Sequence, residues 1–301
     1  VSRPVYVSTA CVRTPFADLE SQLDAFAEAQ LHSVELGWSA RPRSANGVAA
    51  LVPLLGARRE ARGDARFLVH NYFPQPATPF VLNLASQDAG VLRQSRAMAA
   101  DAIALSAALG APYYSVHAGF LAEFDAASLG KSLRHDGVVS REAGMRTFTE
   151  SVAALADAAA AAGIDLLIEP NVVERRNLVD GRNALLLLAE AGEITAFLSA
   201  LGKPNVGILL DTGHLNVTAT TLGFPRERFI DEVAPFVRGF HVHDNDGSGD
   251  QHRACEGGSW VLALLAEPRF RGRPAVIEAG FPDLGALARY HDWFIMETSK
   301  R

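Results

Sequence analysis

The chain has 301 residues, 49% of them hydrophobic and 21% charged, an ordinary globular composition that excludes a disordered or fibrous polymer and supplies apolar side chains for a large core. The formal net charge of −6 weighs against a broad non-specific nucleic-acid surface, without excluding a local basic groove. Two cysteines, Cys11 and Cys255, form no CxxC pair, and there is no apolar signal core and no run of about 18 apolar residues, so reduced thiols, a cytoplasmic location and no membrane partner are expected.

In chain order, short apolar, β-branched runs alternate with longer amphipathic or alanine-rich runs, the rhythm of βα units and a parallel sheet. Strands are expected at Val5–Cys11, Ser33–Leu36, Arg66–His70, Tyr113–His117, Asp165–Glu169, Val206–Asp211, Gly239–His243 and Pro274–Glu278. A helix over Asp18–Gln30 follows the first strand, with Asp18 as its N-cap. Helices over Val91–Leu109, Ser140–Ala162 and Asn183–Leu201 are stopped by Gly110, Gly163 and Gly202. Arg226–Phe236, Ser259–Ala266 and Leu284–Glu297 complete the set. No Pro/Gly/Ser linker divides the chain. The irregular stretch Phe120–Val139, after the fourth strand, has the length of a lid or specificity element. The sequence carries neither GxGxxG after the first strand nor GxxxxGK[ST], which disfavours a nucleotide-binding open sheet. The pattern therefore predicts an α/β fold, a closed (β/α)8 barrel forming a single domain over residues 1–301.

His70, His117, Glu169, Asp211, His241 and Glu278 each fall near the C-terminal end of an expected strand. In a parallel barrel those ends share one face, so six distant segments converge on one mouth. Glu169 closes the run Leu166-Leu167-Ile168, and Glu278 follows Val276-Ile277. A carboxylate there is costly to bury unpaired, so a metal or a cationic side chain must compensate it. Asp211 and His214 lie three apart across a strand-to-loop turn and can both face the mouth, although Asp211 alone could cap the next helix. His241 and His243, two apart, share one face of a strand. Only one of them need be a ligand, the other holding it by a hydrogen bond. Asp250 and His252 repeat an Asp/His pair in the following loop.

Mixed His, Asp and Glu ligands without Cys suit Zn, Mn, Co or Mg. Glu169, Asp211, His241 and Glu278 could hold one divalent metal ion, and the remaining residues are numerous enough for more, one to three per chain. Trp38, Tyr72, Phe73, Phe120 and Trp260 are candidates for a pocket wall; Trp38, Tyr72 and His243 are the expected substrate contacts among these residues. Ordinary helix packing would explain the aromatic residues equally well. Arg41 and Arg43 follow the second strand and could meet phosphates. His32, His135 and His291 lack such placement and read as surface or packing residues.

Four motifs, Ile168-Glu169-Pro170, Leu210-Asp211-Thr212-Gly213-His214, His241-Val242-His243-Asp244-Asn245-Asp246-Gly247 and Val276-Ile277-Glu278, together resemble the xylose isomerase-like TIM-barrel superfamily. That superfamily includes sugar isomerases and epimerases, inosose-processing enzymes and endonuclease IV, and the likeness runs from Val5 to the last helix. The likeness to ketose 3-epimerases implies one metal held by Glu169, Asp211, His241 and Glu278, the two glutamates doubling as the acid/base pair. It also implies a substrate contact by His214, and its H-x-x-D pattern selects His241 over His243. An arginine of that branch is missing here, where Asp244-Asn245-Asp246-Gly247 stands. The likeness to endonuclease IV implies nine ligands for three zinc ions: His70, His117, Glu169, Asp211, His214, His241, Asp250, His252 and Glu278. Against that branch, Pro170-Asn171-Val172-Val173-Glu174 replaces an Asn-Thr-Ala-Gly run. The expected function is a metal-dependent isomerase or epimerase acting on a small sugar or keto-polyol through an enediolate. The alternatives are a phosphodiesterase at abasic DNA, a dehydratase or lyase on a related keto-polyol, and a non-catalytic binding module. The expected partner is a small carbohydrate; homo-oligomerisation is left open.

Overall fold

A computed structural model describes residues 3–13, 15–37, 39–43, 47–76, 78–125, 131–133 and 137–299. Trp38, His135 and parts of Phe120–Val139 lie outside the described residues. Eight parallel strands close into a barrel in sequence order, β1 pairing with both β2 and β8. They are β1 Val5–Ser8, β2 Ser33–Leu36, β3 Arg66–His70, β4 Tyr113–His117, β5 Asp165–Glu169, β6 Val206–Asp211, β7 Val237–Val242 and β8 Ala275–Ile277. The helices are α1 Leu19–Glu28, α2 Val48–Arg62, α3 Ala89–Ala108, α4 Arg141–Ala161, α5 Ala191–Leu201, α6 Thr212–Leu222, α7 Arg226–Val233, α8 Trp260–Ala266 and α9 Leu284–Ser299. Among the described residues no helix is long and apolar enough to cross a membrane.

Local chemistry sets the helix ends. Asp18 accepts a hydrogen bond from Ser21 N at 2.8 Å and Ser21 Oγ reciprocates, closing α1 with a capping box. Gly110, Gly163 and Gly202 follow α3, α4 and α5 with φ of 66°, 74° and 61°, a left-handed conformation that suits a residue without Cβ.

Three expectations needed correction. Residues 183–190 are not helical, and α5 begins only at Ala191. The leucines there run extended against the loop after β4, Leu121 N donating to Leu185 O at 2.7 Å and Leu187 N to Gly119 O at 3.0 Å. A short apolar run carries no period that separates helix from extended chain. Helix α2 was not foreseen, because Pro53 and Gly56 interrupt its pattern. Helix α6 was not foreseen either; Gly213, Asn216 and four threonines are poor helix formers, and burial of its Leu215, Val217 and Thr218 overrides that preference.

Strand alternation positions the site. Val34, Leu36, Leu166, Ile168, Ile208 and Leu210 belong to the large core between sheet and helices. Tyr6, Leu68, Tyr113, Leu167, Leu209 and Val276 fill the barrel interior. Side chains two apart share a face, so Glu35, His70, His117, Glu169, Asp211 and Glu278 all carry the interior parity. They stack above the apolar plug at the C-terminal end of the barrel.

Candidate active site

Glu169 is the hub. Its Oε2 lies 3.3 Å from His70 Nε2 and 3.6 Å from His117 Nε2. Its Oε1 lies 3.3 Å from His214 Nδ1 and 3.4 Å from His241 Nδ1. His241 Nδ1 also faces Glu278 Oε2 at 3.0 Å and Asp211 Oδ2 at 3.8 Å. Beside this set, Asp250 Oδ2 lies 3.0 Å from His252 Nε2 and 3.5 Å from His214 Nε2. Ligand atoms of His70, His117 and Glu169 lie within 4.8 Å of one another, as do those of Glu169, Asp211, His241 and Glu278. The same holds for Asp211, His214 and His243, and for His243, Asp250 and His252. All nine residues expected as ligands are therefore gathered at one mouth.

Each of these histidines is anchored through its other nitrogen. His117 Nδ1 donates to Asn171 Oδ1 at 2.9 Å, and Asn171 Nδ2 donates to Ala118 O at 2.6 Å, which fixes the amide's orientation. His214 Nδ1 donates to Pro170 O at 3.2 Å and His252 Nδ1 to Glu278 O at 2.9 Å. His70 Nδ1 meets Ser115 Oγ at 3.0 Å. Such partners orient metal-binding imidazoles.

The donor set fits a divalent cation. A backbone carbonyl only accepts, so neutral His214 and His252 each turn an Nε2 lone pair toward the Asp250 carboxylate, which requires a proton or a cation between them. Both oxygens of Glu169, Nδ1 of His241, Nδ1 of His243 and Oδ1 of Asp250 are buried without a hydrogen bond among the described residues. Buried polar atoms left so are costly, and cations held in these groups would satisfy them.

Without a cation, protons take its place. Burial disfavours the charged form of His241, but Glu35, Glu278 and Glu169 outweigh it and raise its pKa well above the usual value. Burial likewise opposes charge on His214, outweighed by Asp211 and Asp250. His252 is held at about 9, burial again being overcome by Asp250. Burial raises Glu169, yet His117 and His241 hold it well below the usual carboxylate range. His70 is the exception: burial dominates and lowers it to about 3, so it stays neutral.

These shifts give a sign for stability. A raised histidine stabilises fully below its unfolded value of 6.5, and His252 loses that contribution as pH rises through about 9. Glu169 contributes above 4.5 and loses it on acidification. His70, lowered to about 3, contributes above its unfolded value of 6.5 and loses that contribution as pH falls. The chelator-treated protein should therefore melt highest near pH 6.5 and decline toward both pH 4.5 and pH 9. Added Zn2+ should remove the alkaline decline, because the ion replaces the protons. Thermal denaturation at stepped pH checks this; an apo midpoint that rises from pH 6.5 to 9 would contradict it.

A cavity of about 510 Å³ opens above the cluster, with Glu169, His214, Asp250, His252 and Glu278 on its floor. Tyr72 and Phe120 line it, whereas Phe73 and Trp260 do not. Phe73 is buried in the core, and Trp260 lies under the Arg226 guanidinium at 4.3 Å. His243 is fully buried behind the wall, its Nε2 3.0 Å from Asp211. Arg43 pairs with Asp18 at 2.7 Å, Arg41 reaches Pro76 O at 3.3 Å, and neither lines this cavity. Sequence reasoning missed Glu35, fully buried with both oxygens on His241 Nε2 at 3.0 and 3.2 Å. The signal was there, a charged residue alternating with Val34 and Leu36, but one residue short of the strand's end.

No curated protein matches the chain by sequence. Among solved structures, a D-tagatose 3-epimerase-like protein superposes with a TM-score of 0.71 at 18% identity, covering 99% of this chain and 97% of that one. The 3-keto-D-glucoside 4-epimerase of E. coli superposes with 0.66 at 11% identity over 100% of both chains. A D-allulose 3-epimerase from Methylomonas sp. superposes with 0.65 at 16% identity, over 99% and 97%. At such identities the likeness establishes the fold. The xylose isomerase-like TIM barrel family matches residues 23–299, and with the closed barrel and the acidic and histidine residues at its strand ends, the chain belongs to that family.

Proposed function

We propose that the protein is a divalent-metal-dependent isomerase or epimerase acting on a small sugar or keto-polyol through an enediolate. The observation that carries this reading is a pair of carboxylates, Glu169 and Glu278, that line one cavity and lie 3.4 and 3.0 Å from His241 Nδ1. Glu169, Asp211, His241 and Glu278 would hold the ion, with Zn, Mn, Co or Mg suiting the donors. A bound ion supplies Lewis-acid polarisation of a substrate carbonyl.

The chain's own residues do the rest. One glutamate takes the proton from the carbon beside the carbonyl, and the other returns a proton on the opposite face. Glu169 is buried and Glu278 half-buried; His117 and His241 draw the first toward the ionised state and His241 the second, so each begins able to act as base. His214 and Tyr72 reach the cavity and are placed to contact hydroxyls. Val81, Leu82, Phe120 and Leu186 form an apolar side of the cavity.

A second reading, metal-assisted phosphodiester hydrolysis at abasic DNA, is favoured by the additional groups around His70 and His117 and around Asp250 and His252. These residues would hold up to two further ions. The test is a panel of ketoses, their phosphates and inososes in deuterated water, beside an abasic-site duplex, with metal-loaded protein. Solvent deuterium entering a carbon-bound position supports the proposal. Duplex cleavage with no exchange on any sugar would replace it with the phosphodiesterase.

A further inference from the structure

The ring of His241 is divided between two sets of carboxylates. Its Nδ1 faces Glu278, Glu169 and Asp211 at 3.0, 3.4 and 3.8 Å. Its Nε2 faces Glu35, at 3.0 and 3.2 Å from the two oxygens. Glu35 is fully buried on β2, is not among the cavity's lining residues, and so has no route to substrate. The His70 ring packs edge-on at 4.8 Å and holds the plane of His241.

We propose that Glu35 is a positioning residue for the metal centre: it accepts the Nε2 proton of His241 and so leaves the Nδ1 lone pair to the cation held with Glu169, Asp211 and Glu278. This rests on the metal-dependent reading above. A neutral imidazole has one donor nitrogen and one acceptor nitrogen. Three carboxylates beside Nδ1 all pull the proton to that side, where it would block coordination. A carboxylate at Nε2 opposes them. The resulting carboxylate–histidine–metal arrangement also makes the imidazole a stronger donor.

Burying a charge is costly unless it is partnered, and the neighbours of Glu35 show why one is tolerated here. Val34 and Leu36 on either side of it point outward into the core, so Glu35 alone of the β2 interior carries a charge to the barrel axis. A methyl-bearing or amide side chain would fill the same space. The carboxylate stands where it can act on His241.

The test uses full-length protein stripped of metal and titrated with Mn2+ alone. The wild type is compared with Glu35→Gln, Glu35→Asp and Glu35→Leu. In Glu35→Leu the affinity of this centre falls about 10- to 100-fold, the usual cost of losing an outer partner, with the number of ions bound unchanged. Glu35→Gln, whose amide oxygen still accepts from Nε2, recovers most of that loss. Ring-nitrogen NMR of the protein loaded with diamagnetic Zn2+ shows the His241 Nε2 proton shifted downfield by its hydrogen bond to Glu35 in the wild type, and that shift is lost in Glu35→Leu. Should the leucine variant fail to fold, Glu35→Asp, with its acceptor drawn back by one methylene, shows a smaller loss in the same direction.

A wild type that binds no ion removes the metal-dependent reading itself. A wild type that binds ions while every folded Glu35 variant binds them equally well overturns the role of Glu35 and leaves that reading intact. Glu35, His70 and His241 also lie within 4.8 Å of one another. Loss of one whole ion in Glu35→Gln would therefore mean direct ligation by Glu35, and would overturn positioning.

Discussion

Glu278→Gln lowers turnover by roughly 10²- to 10⁴-fold, the span contributed by a general acid or base, and stops exchange of one substrate hydrogen with solvent. Glutamine keeps the shape of glutamate and offers one neutral oxygen, but it cannot take a proton. Glu278 is the better residue to test because its side chain is 17% exposed to the cavity while that of Glu169 is 1% exposed. Glu169 touches His70, His117, His214 and His241, so its loss would disturb several groups at once. Metal content and the thermal midpoint are measured on the same preparation. Unchanged exchange in a folded, metal-loaded variant would remove Glu278 from the chemistry.

Asp211→Asn weakens divalent-ion binding by more than about 100-fold, beyond the upper end of what loss of an outer partner costs. Asp211 has two duties. Its Oδ1 accepts from His214 N at 2.6 Å and caps α6, while Oδ2 faces His241 Nδ1. Asparagine caps a helix as well as aspartate does, so α6 survives, while the negative charge and one of the two acceptor oxygens are lost. Calorimetric titration reads the affinity, and circular dichroism verifies the helix. Unchanged metal content would refute the assignment of Asp211 as a ligand.

The same dual duty shows how far the sequence could be read. The strand ends were legible because a charged residue after Leu166-Leu167-Ile168 or Ile208-Leu209-Leu210 stands out against an apolar run. In a parallel barrel that alone brings distant residues to one face. Ligation and capping looked like alternatives for Asp211 in the sequence; the fold lets its two oxygens point in different directions. Glu35 was not legible as a site residue, since its significance depends on His241, which lies 206 positions away along the chain. The aromatic wall was only half legible. Tyr72 and Phe120 reach the cavity while Phe73 and Trp260 turn into packing, a difference set by loop path rather than by residue type.

The loops after β4 and β5 are stitched by an antiparallel bridge between Phe120 and Leu186. They enclose a small core of their own, including Val81, Phe120, Phe124, Val173, Leu185 and Leu186, apart from the two cores of the barrel. The candidate ligands thus stand at and just beyond the strand ends, and the apolar wall of the cavity packs in a cluster separate from the barrel cores. Its apolar residues are none of the candidate ligands, which lie at the strand ends, at the start of α6 and in the loop after β7. On the proposed reading, substitutions in this cluster would shift substrate preference before they touch the acid/base pair.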